Sequence, residues 1–375
     1  MDFMLTQEQQ EYQSEFLRFG KKINTWTDGD KQFSREIWGK IADFGLFGLT
    51  ADEAYGGLGE NCVTAAAVYE ALGYAAYDNG LLFAITNHVW VAQNLIDKYG
   101  SKTLKDKYLK RMISGELIGA FALTEVESGS DAFNMRTKAE EDGDEYVITG
   151  SKMFISNGSI ADVFVVCART TEKNFTTFIV EKGFEGFTVG KSIEKMGLES
   201  CPMSEIVMDR CRVPKENVLG HLHMGINIAS AALEWERCFE AAPCVGTMKR
   251  IMERCIEHVN TREQSCGLLN QFQGITHKIS DMHVGIEMSR LMLYKYAFLK
   301  DSGKNAFLDA SVFKLYLSER YIQTCRDAMQ IFGAYGYTTE YGLEREMRDA
   351  LASSIYSGTS EIQRNTIFRL ISEFA

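Results

Sequence analysis

Residues 355–364 read IYSGTSEIQR and combine an apolar pair with the small residues 357–359. A helical pattern follows this turn. Ser360 and Gln363 fit a capping box, and Glu361 falls in the first helical turn, where the helix dipole favours an anion. Such a turn presents backbone N–H groups that suit a phosphate, an oxyanion or a carbonyl oxygen. An ordinary helix start can have the same residues, so the motif alone does not decide between the two interpretations.

The composition is that of a globular protein with a sizeable core. The chain has 375 residues, of which 45% are hydrophobic and 24% are charged; this length suggests roughly two or three domains or one large layered unit. The net charge of −11 argues against nucleic acid or an anionic membrane surface as the main partner.

The cysteines and the N-terminal residues indicate the cellular compartment in which we expect the protein. Nine cysteines form no CxxC pair or Cys–His cluster, so we expect reduced thiols and no metal site. No apolar run reaches membrane-spanning length, and we expect no membrane partner. The N-terminal residues lack the pattern of a signal or transit peptide, so a cytoplasmic location is expected.

Apolar periodicity divides the chain into a helical, a β and a second helical part. Residues 6–116 follow the helical period except for a Gly-rich break at 51–59, interpreted as a connecting loop because no strand precedes it. Between about 118 and 215, short β-branched and aromatic runs predict an antiparallel sheet. From 222 onward long helical segments return, and three prolines in the chain permit uninterrupted helices of the kind found in bundles. The candidate helices there are 223–260, 273–301, 306–334, 340–352 and 359–373.

Five stretches, in their order along the chain, resemble the acyl-CoA dehydrogenase family. They are TEVESGSD (124–131), KMFISNG (152–158), REQSCGLLNQFQ (262–273), QIFGAYGYTTEY (330–341) and IYSGTSEIQR (355–364). The resemblance implies an α+β, mostly α fold. It consists of an N-terminal helical domain (1–117), a middle antiparallel β-barrel-like domain (118–221) and a C-terminal four-helix bundle (222–375). It also implies FAD bound between the domains and completed by a second subunit of a homodimer or homotetramer.

The resemblance places the family's FAD contacts on residues of all five stretches. They are Leu123, Thr124, Gly129, Ser130, Phe154, Ser156, Arg262, Gln330, Gly333, Thr359 and Glu361. Phe154 and Ser156 stand where relatives have a Trp and a Thr over one flavin face, and they supply the same aromatic wall and hydroxyl. Arg262 corresponds to an arginine that meets the FAD pyrophosphate from the partner subunit, a task that suits a planar guanidinium. The chain departs from the family at Ser265-Cys266, usually Phe-Gly, and at Ala334, usually Gly.

The main departure is Ser357, where most relatives have the glutamate that removes the α-proton of the acyl thioester. A serine hydroxyl is far too weak a base for this task. The backbone N–H at 357 can still polarise the thioester carbonyl, which in the family it does together with a flavin ribityl hydroxyl.

Another carboxylate is therefore needed, and Glu236 is the candidate. In the isovaleryl- and long-chain-type branches of the family, the base occupies this position in the helix, directly before the residue that corresponds to Arg237. We expect Glu236 and Ser357 to form the catalytic pair, with apolar surroundings raising the pKa of Glu236. The alternative is a solvated helix face, which adjacent charges commonly form.

The resemblance also implies the substrate contacts. Glu234 corresponds to an acidic residue at the pantetheine–nucleotide arm, and the other expected contacts are Ser130, Arg237, Tyr356 and Gly358. Aromatic residues at 83, 90 and 235 indicate a pocket shaped by rings. The expected reaction is α,β-dehydrogenation of acyl-CoA or an acyl-carrier protein by α-proton abstraction and β-hydride transfer to flavin, with an electron-transfer flavoprotein as acceptor.

Three other functions stay open. CoA and carrier proteins end in the same phosphopantetheine arm, so oxidation of a short hydroxyacyl or aminoacyl group on a carrier protein, in polyketide or nonribosomal peptide assembly, is one alternative. A flavin oxidase or monooxygenase on the same fold is the second, and rapid reoxidation of its flavin by oxygen would distinguish it. A non-catalytic homologue is the third, recognisable by FAD that no thioester reduces.

Overall fold

The computed structural model describes residues 4–27, 32–265 and 267–372. Helices come first, a sheet follows, and helices return to the end of the described chain. The α+β, mostly α prediction is therefore confirmed. Within the described ranges, no helix combines the length and the apolar character needed to cross a membrane.

The described residues of the first part form six α-helices. They are α1 (Gln7–Thr27), α2 (Arg35–Asp43), α3 (Cys62–Ala75), α4 (Asn79–Thr86), α5 (Asn94–Tyr99) and α6 (Lys102–Ile113). Side-chain caps set several of the starts: Asn61 Oδ1 accepts from the Thr64 amide at 2.8 Å, and Asp78 Oδ1 accepts from the Leu81 amide at 2.9 Å. The Gly-rich break is a loop, as predicted. A Cβ at Gly57 would lie 2.0 Å from the Ala51 carbonyl oxygen, so this loop folds too tightly for a side chain there.

A π-helical stretch at Asn87–Gln93 joins α4 to α5. Hydrophobic periodicity predicts helix across this stretch, but it does not distinguish an α-helical from a π-helical turn. π-helical turns in proteins are frequently found at functional sites.

One sheet forms the middle part. Its strands are β1 (Gly119–Ala122), β2 (Lys138–Asp142), β3 (Glu145–Ser156), β4 (Val163–Arg169), β5 (Phe175–Glu181), β6 (Phe187–Ser192), β7 (Met203–Pro214) and β8 (Val218–Leu219). The strand order is β6-β7-β3-β2-β4-β5-β8, with β1 beside β4. Pairing is antiparallel, except that β1 and one residue of β2 run parallel to β4. Among the described strands no pairing joins β6 to β8, so the sheet stays open rather than closing into a barrel.

The second helical part begins with α7 (Gly225–Trp235), continues through a π-helical stretch at Glu236–Glu240, and passes into α8 (Ala242–Thr261). The uninterrupted helix predicted for 223–260 is therefore wrong. Pro243 lies in the first turn of α8, where its missing N–H is tolerated, although it could not have donated within a continuous helix.

The remaining elements complete a bundle. They are the short strands β9 (Glu263–Gln264) and β10 (Gly267–Leu268), followed by α9 (Gln273–Asp301), α10 (Phe307–Phe332), α11 (Ala334–Tyr337), α12 (Leu343–Ala352) and α13 (Ser360–Ser372). α8, α9 and α10 pack against one another, and α12 and α13 pack against α10. One of the three hydrophobic core clusters found among the described residues runs from the first helices through the sheet into this bundle.

Candidate functional site

The closing turn at 355–359 has a strained backbone that its surroundings hold in place. Ser357 has a φ of 56°, which is unusual for a residue with a side chain, and Gly358 follows with a φ of 88°. The predicted capping box is wrong: Thr359 Oγ1 accepts from the Ile362 amide at 3.3 Å, which makes Thr359 the cap of α13. Glu361, in the first turn of that helix, has a lowered pKa chiefly because its carboxylate accepts a hydrogen bond from its own backbone amide.

Three side chains hold the carbonyl oxygens of this turn. Gln363 Nε2 donates to the carbonyl oxygens of Ser357 at 3.0 Å and of Gly358 at 2.9 Å. Lys314 Nζ donates to the Gly358 oxygen at 2.7 Å, and Arg237 Nε donates to the Ser357 oxygen at 3.4 Å. By contrast, the Ser357 amide has no hydrogen-bond partner within the described residues, which leaves it able to donate to a bound carbonyl oxygen.

The Ser357 side chain joins two carboxyl groups of the π-helical stretch Glu236–Glu240. Its Oγ lies 2.8 Å from Glu236 Oε1 and 3.0 Å from Glu240 Oε2. A hydroxyl has one hydrogen to donate, whereas an ionised carboxylate only accepts. One of the two contacts therefore needs a hydrogen from the carboxyl group itself, so Glu236 and Glu240 cannot both be ionised while both contacts are made.

The pKa values of the two carboxyl groups agree with a shared proton. Desolvation raises the pKa of both groups, and the charge of Glu236 raises the pKa of Glu240 further, well above its ordinary value. The pKa of Glu236 is also raised, but its bond to Ser357 and the charges of Arg237 and Lys314 offset part of the increase. Glu240 is thus the member that keeps the proton, and Glu236 is the member that ionises. Glu236 is half-buried whereas Glu240 is buried, so the ionising group is also the accessible one.

A second π-helical stretch, Asn87–Gln93, faces the first. Asn87 Nδ2 donates to Glu240 Oε1 at 3.3 Å. The rings of Trp90 and Phe239 stack with centroids 3.7 Å apart, and Trp235 stacks on Trp90 at 5.7 Å. Of the three rings expected to shape a pocket, Phe83 lines the cavity described next, whereas Trp90 and Trp235 stack with Phe239.

A cavity opens on the other side of Glu240. It contains about 340 Å³ of space, part of it open to solvent. Tyr356 and Phe83 stand at this cavity with their ring centroids 4.8 Å apart. Its lining includes side chains with polar atoms, which are Asn79, Glu240, Cys244, Thr247, Tyr321, Asp349 and Tyr356.

The residues expected to hold the flavin ring form a second group, in the loop after β1 and in β3. The Met153 amide donates to the Thr124 carbonyl at 2.9 Å, which ties the loop after β1 to β3. Buried Lys152 donates to the Leu123 carbonyl at 2.9 Å and pairs with Glu125 at 2.8 Å. An irregular stretch of β3 beside Lys152 leaves Phe154 55% exposed with a φ of 59°.

An exposed ring beside a fixed polar loop fits a planar aromatic cofactor, which would cover it. Ser156 is half-buried in the same strand, while Gly129 and Ser130 are exposed in the loop. The two hydrogen bonds thus place the Leu123–Thr124 backbone beside β3, the strand that carries Phe154 and Ser156.

A third group lies at the end of the bundle. Arg262, Gln330 and Gly333 are all exposed. The Arg262 guanidinium lies 5.9 Å from the centre of the Tyr335 ring, and the Gly333 amide donates to the Gln330 carbonyl at 3.2 Å. This group is expected to meet the cofactor of the partner subunit. Of the two departures at 265–266, Cys266 lies outside the described residues.

Two expected substrate contacts are engaged elsewhere. The Glu234 carboxylate pairs with Lys300 at 2.9 Å, and Lys300 also lies 4.4 Å from the centre of the Trp235 ring. Arg237 is buried and donates to Ser311 Oγ at 3.2 Å as well as to the turn. In this structure Arg237 supports the turn through its carbonyl rather than lining the cavity.

Sequence reasoning missed Glu240, Asn87, Lys314 and Gln363. A signal existed for Glu240, since it follows Glu236 by four residues and therefore lies one helical turn away. No comparable signal marked Asn87 or Lys314, because only the folded chain brings them to the turn at 357.

Comparison with known proteins gives a consistent result along the chain. Family models described as the N-terminal, middle and C-terminal domains of acyl-CoA dehydrogenase match residues 6–116, 120–211 and 223–371. A short-chain specific acyl-CoA dehydrogenase of Clostridium acetobutylicum is 36% identical over 375 residues, covering 98% of both chains. An L-prolyl-(peptidyl-carrier protein) dehydrogenase of a Serratia species is 34% identical over 380 residues, also covering 98% of both. The solved FAD complex of PigA superposes with a TM-score of 0.97 at 34% identity, covering 100% of both chains.

Proposed function

The chain belongs to the acyl-CoA dehydrogenase family, and we propose that it is an FAD-dependent dehydrogenase in which Glu236, not residue 357, removes the α-proton of an acyl thioester. The observation that carries this proposal is the position of the Glu236 carboxylate, 2.8 Å from the hydroxyl of Ser357. The helix thus delivers a carboxylate to the place where most relatives have their glutamate.

Glu236 has the protonation behaviour that the task requires. Its pKa is raised by desolvation, so its carboxylate is a stronger base than an exposed one. Glu240 keeps the proton of the pair, which leaves Glu236 ionised and able to accept the substrate's α-proton on Oε1 or Oε2.

The turn supplies the complementary charge stabilisation. As the α-proton leaves, negative charge develops on the thioester carbonyl oxygen, and the Ser357 amide, which has no partner among the described residues, is the proposed donor for it. Lys314, Arg237 and Gln363 hold the turn's carbonyl oxygens, so this amide is oriented before substrate binds. FAD, held by the loop after β1, the bulged part of β3 and the closing turn, would supply the acceptor for the β-hydrogen and its electron pair.

The loop after β1 and the bulged part of β3 would hold the flavin ring, with Phe154 as the aromatic wall. Thr359 and Glu361 would contact FAD from the closing turn. Arg262, Gln330 and Gly333 would meet the pyrophosphate and ADP part of the partner's cofactor. This arrangement requires a homodimer or homotetramer, and exposed apolar side chains at 284, 288 and 291 on α9 support such an assembly. Light scattering of the purified protein measures its mass directly.

The thioester is carried either by CoA or by a carrier protein. Relatives of both kinds resemble the chain along its whole length. An electron-transfer flavoprotein is the proposed electron acceptor, as in the family.

The test is an anaerobic titration of the FAD-loaded protein with thioesters of pantetheine, CoA and a carrier protein. We expect at least one acyl group to bleach the flavin absorbance. If the natural carrier is a protein, its thioester is expected to reduce the flavin faster than the CoA thioester does. Flavin that no member of the panel reduces would contradict the dehydrogenase proposal. Rapid reoxidation by oxygen would instead support an oxidase.

A further inference from the structure

Three hydrogen bonds join four polar side chains around the closing turn. Asn87 Nδ2 donates to Glu240 Oε1 at 3.3 Å, and Glu240 Oε2 lies 3.0 Å from Ser357 Oγ. Ser357 Oγ in turn lies 2.8 Å from Glu236 Oε1. We call these four side chains the Asn87–Glu236 network. Its members come from both π-helical stretches and from the turn, so only the folded protein assembles it.

The two oxygens of Glu240 face different partners, and this difference decides where its proton lies. In a neutral carboxyl group one oxygen accepts hydrogen bonds, and the other carries the hydrogen that the group donates. Asn87 presents an N–H group to Oε1, so Oε1 is the accepting oxygen. The hydrogen of Glu240 therefore lies on Oε2, the oxygen that faces Ser357.

The direction of the Ser357 hydroxyl follows from that placement. Ser357 Oγ accepts the hydrogen of Glu240 Oε2, and its own single hydrogen is left for Glu236 Oε1. A hydrogen bond to an ionised carboxylate is shorter and stronger than one between neutral groups, in agreement with the 2.8 Å contact. Each donated hydrogen in the network thus points toward Glu236.

The charged groups around the network favour an ionised Glu236 beside a neutral Glu240. Desolvation raises the pKa of Glu236, but the positive charges of Arg237 and Lys314 offset part of the increase. Desolvation lowers the pKa of Lys314 to about 8, so Lys314 is still positively charged at neutral pH. Desolvation also raises the pKa of Asp349, in the cavity beside Glu240, to about 6. Burial raises the pKa of three further acids near Glu240, which stay neutral at neutral pH: Cys201, Cys244 and Tyr356.

We propose that Asn87 and Glu240 are positioning residues: Asn87 sets the orientation of the Glu240 carboxyl group, whose hydrogen directs the Ser357 hydroxyl onto Glu236. This inference rests on the proposed role of Glu236 as the base and adds the groups that keep that base ionised. Neither residue takes part in the proton transfer itself. They act on the pH range in which the base is available, because a hydrogen bond to a carboxylate favours its ionised form.

The test follows the protonation of Glu236 itself, so it does not depend on turnover. Infrared absorption of the FAD-loaded protein shows the C=O stretch of protonated carboxyl groups, and a pH titration gives the midpoint at which each band is lost. In each protein, the Glu236 midpoint is that of the step that disappears when Glu236→Gln is added. The step of Asp349 remains in that comparison, which separates the two carboxyl groups.

Two substitutions of Glu240 measure the effect of its hydrogen. Glu240→Leu removes the donor to Ser357, and we expect the Glu236 midpoint to rise by about one pH unit or more. Glu240→Gln supplies an amide N–H to Ser357 and keeps an acceptor for Asn87. Its midpoint should therefore stay within roughly half a unit of the wild-type value.

Asn87→Leu tests the orientation of the Glu240 carboxyl group. Without the N–H group of Asn87, the hydrogen of Glu240 can lie on either oxygen, so we expect a midpoint between those of the two Glu240 variants. Asn87 Oδ1 has no partner in the described part of the chain, so this variant loses only the bond to Glu240 and serves the test if Glu240→Leu does not fold. Glu253→Gln changes a carboxylate that bonds Tyr74 instead, and it should leave the midpoint in place.

Ser357→Ala separates the network from a change in polarity alone. Leucine at position 240 also makes the surroundings of Glu236 less polar, and that effect does not need the serine. If the network carries the effect, Glu240→Leu should shift the midpoint in the Ser357→Ala background by roughly half as much as in the wild-type background, or less.

Two results would overturn the inference: a midpoint that falls or stays unchanged in both Glu240→Leu and Asn87→Leu, or an equal shift by Glu240→Leu with and without Ser357. Flavin reduction by a thioester would then still support the proposed dehydrogenase. Conversely, the expected shifts in a protein whose flavin no thioester reduces would support the network and contradict the reaction.

Discussion

The closing turn and the π-helical stretch Glu236–Glu240 meet at one point but do different work. The turn at Ser357 presents a backbone amide and holds it with three side chains. The π-helical stretch presents two carboxyl groups, one ionised and one protonated. In most of the family a single residue of the turn supplies both the base and the amide. The proposed role of Glu236 predicts that the position of the carboxylate in space matters, and not the element that carries it.

Removing the base from the helix is the strongest way to test this difference. Glu236→Gln keeps the hydrogen bond to Ser357 but cannot take a proton, so anaerobic flavin reduction by the best thioester should slow about 10²- to 10⁴-fold. FAD content and melting temperature should stay close to those of the wild-type protein. Glu253→Gln is the matched control, because it changes a carboxylate of α8 that accepts a hydrogen bond from Tyr74. Reduction within a few fold of the wild-type rate would show that Glu236 is not the base.

Moving the base to the turn sharpens the comparison. Adding Ser357→Glu to Glu236→Gln returns a carboxylate to the position that most relatives use. Because the two side chains lie 2.8 Å apart, stopped-flow reduction should recover by roughly tenfold or more over Glu236→Gln alone. Ser357→Gln in the same background is the control. If Ser357→Glu restores no more flavin reduction than Ser357→Gln does, the turn and the π-helical stretch cannot exchange the role of base.

The Ser357 hydroxyl links the turn to the π-helical stretch, and its removal should have a smaller effect that depends on pH. The Ser357 hydroxyl lowers the pKa of Glu236, so Ser357→Ala raises it further. The base must be ionised, and its reduction rate falls as pH drops through its pKa. We therefore expect the pH profile of flavin reduction to move to higher pH, with a loss of up to about tenfold at neutral pH that alkaline pH restores. An unchanged pH profile would show that the Ser357 hydroxyl does not lower the pKa of Glu236.

The smallest effect concerns stability. Glu240 has a raised pKa in the folded state, so the folded protein binds more protons than the unfolded chain. This contribution is present at low pH and is lost as pH rises through the folded-state pKa. Glu240→Gln stays neutral throughout. Its free energy of unfolding relative to wild type should therefore rise with pH, by at most about 1.4 kcal/mol per unit. Denaturant unfolding across a pH series measures this, and a falling difference would contradict the protonation assigned to Glu240.

Much of the fold could be predicted because it depends on long, repetitive patterns. The order of the five motifs and the change of apolar period gave the helical, β and helical parts. The break at residues 236–242 could not be predicted in this way, since periodicity was read across Pro243. The cap of α13 was assigned to Ser360 because Ser and Gln stand at the right spacing, yet Thr359 occupies the cap and Gln363 turns back to the carbonyls.

The site was predictable only as far as the chain carries a local pattern. The absent glutamate at 357 and the acidic run before Arg237 led to Glu236. Glu240 lies four residues further on, but its partners Asn87 and Ser357 are more than a hundred residues away in the chain. Whether such a carboxyl group is solvated or paired depends on tertiary packing. Residue charge and sequence spacing do not predict that packing.

The central claim is that Glu236 takes the α-proton while the turn at Ser357 only polarises the carbonyl. It is tested most directly by hydrogen exchange into a thioester that cannot lose a hydride. 3,3-Dimethylbutyryl-pantetheine has α-hydrogens but no β-hydrogen, so incubation with FAD-loaded protein in D₂O reports proton abstraction alone, read by mass spectrometry at saturating concentration. We predict deuterium incorporation by the wild-type protein, retained within about tenfold by Ser357→Ala and reduced to background by Glu236→Gln. Exchange that survives in Glu236→Gln but disappears in Ser357→Ala would contradict the account.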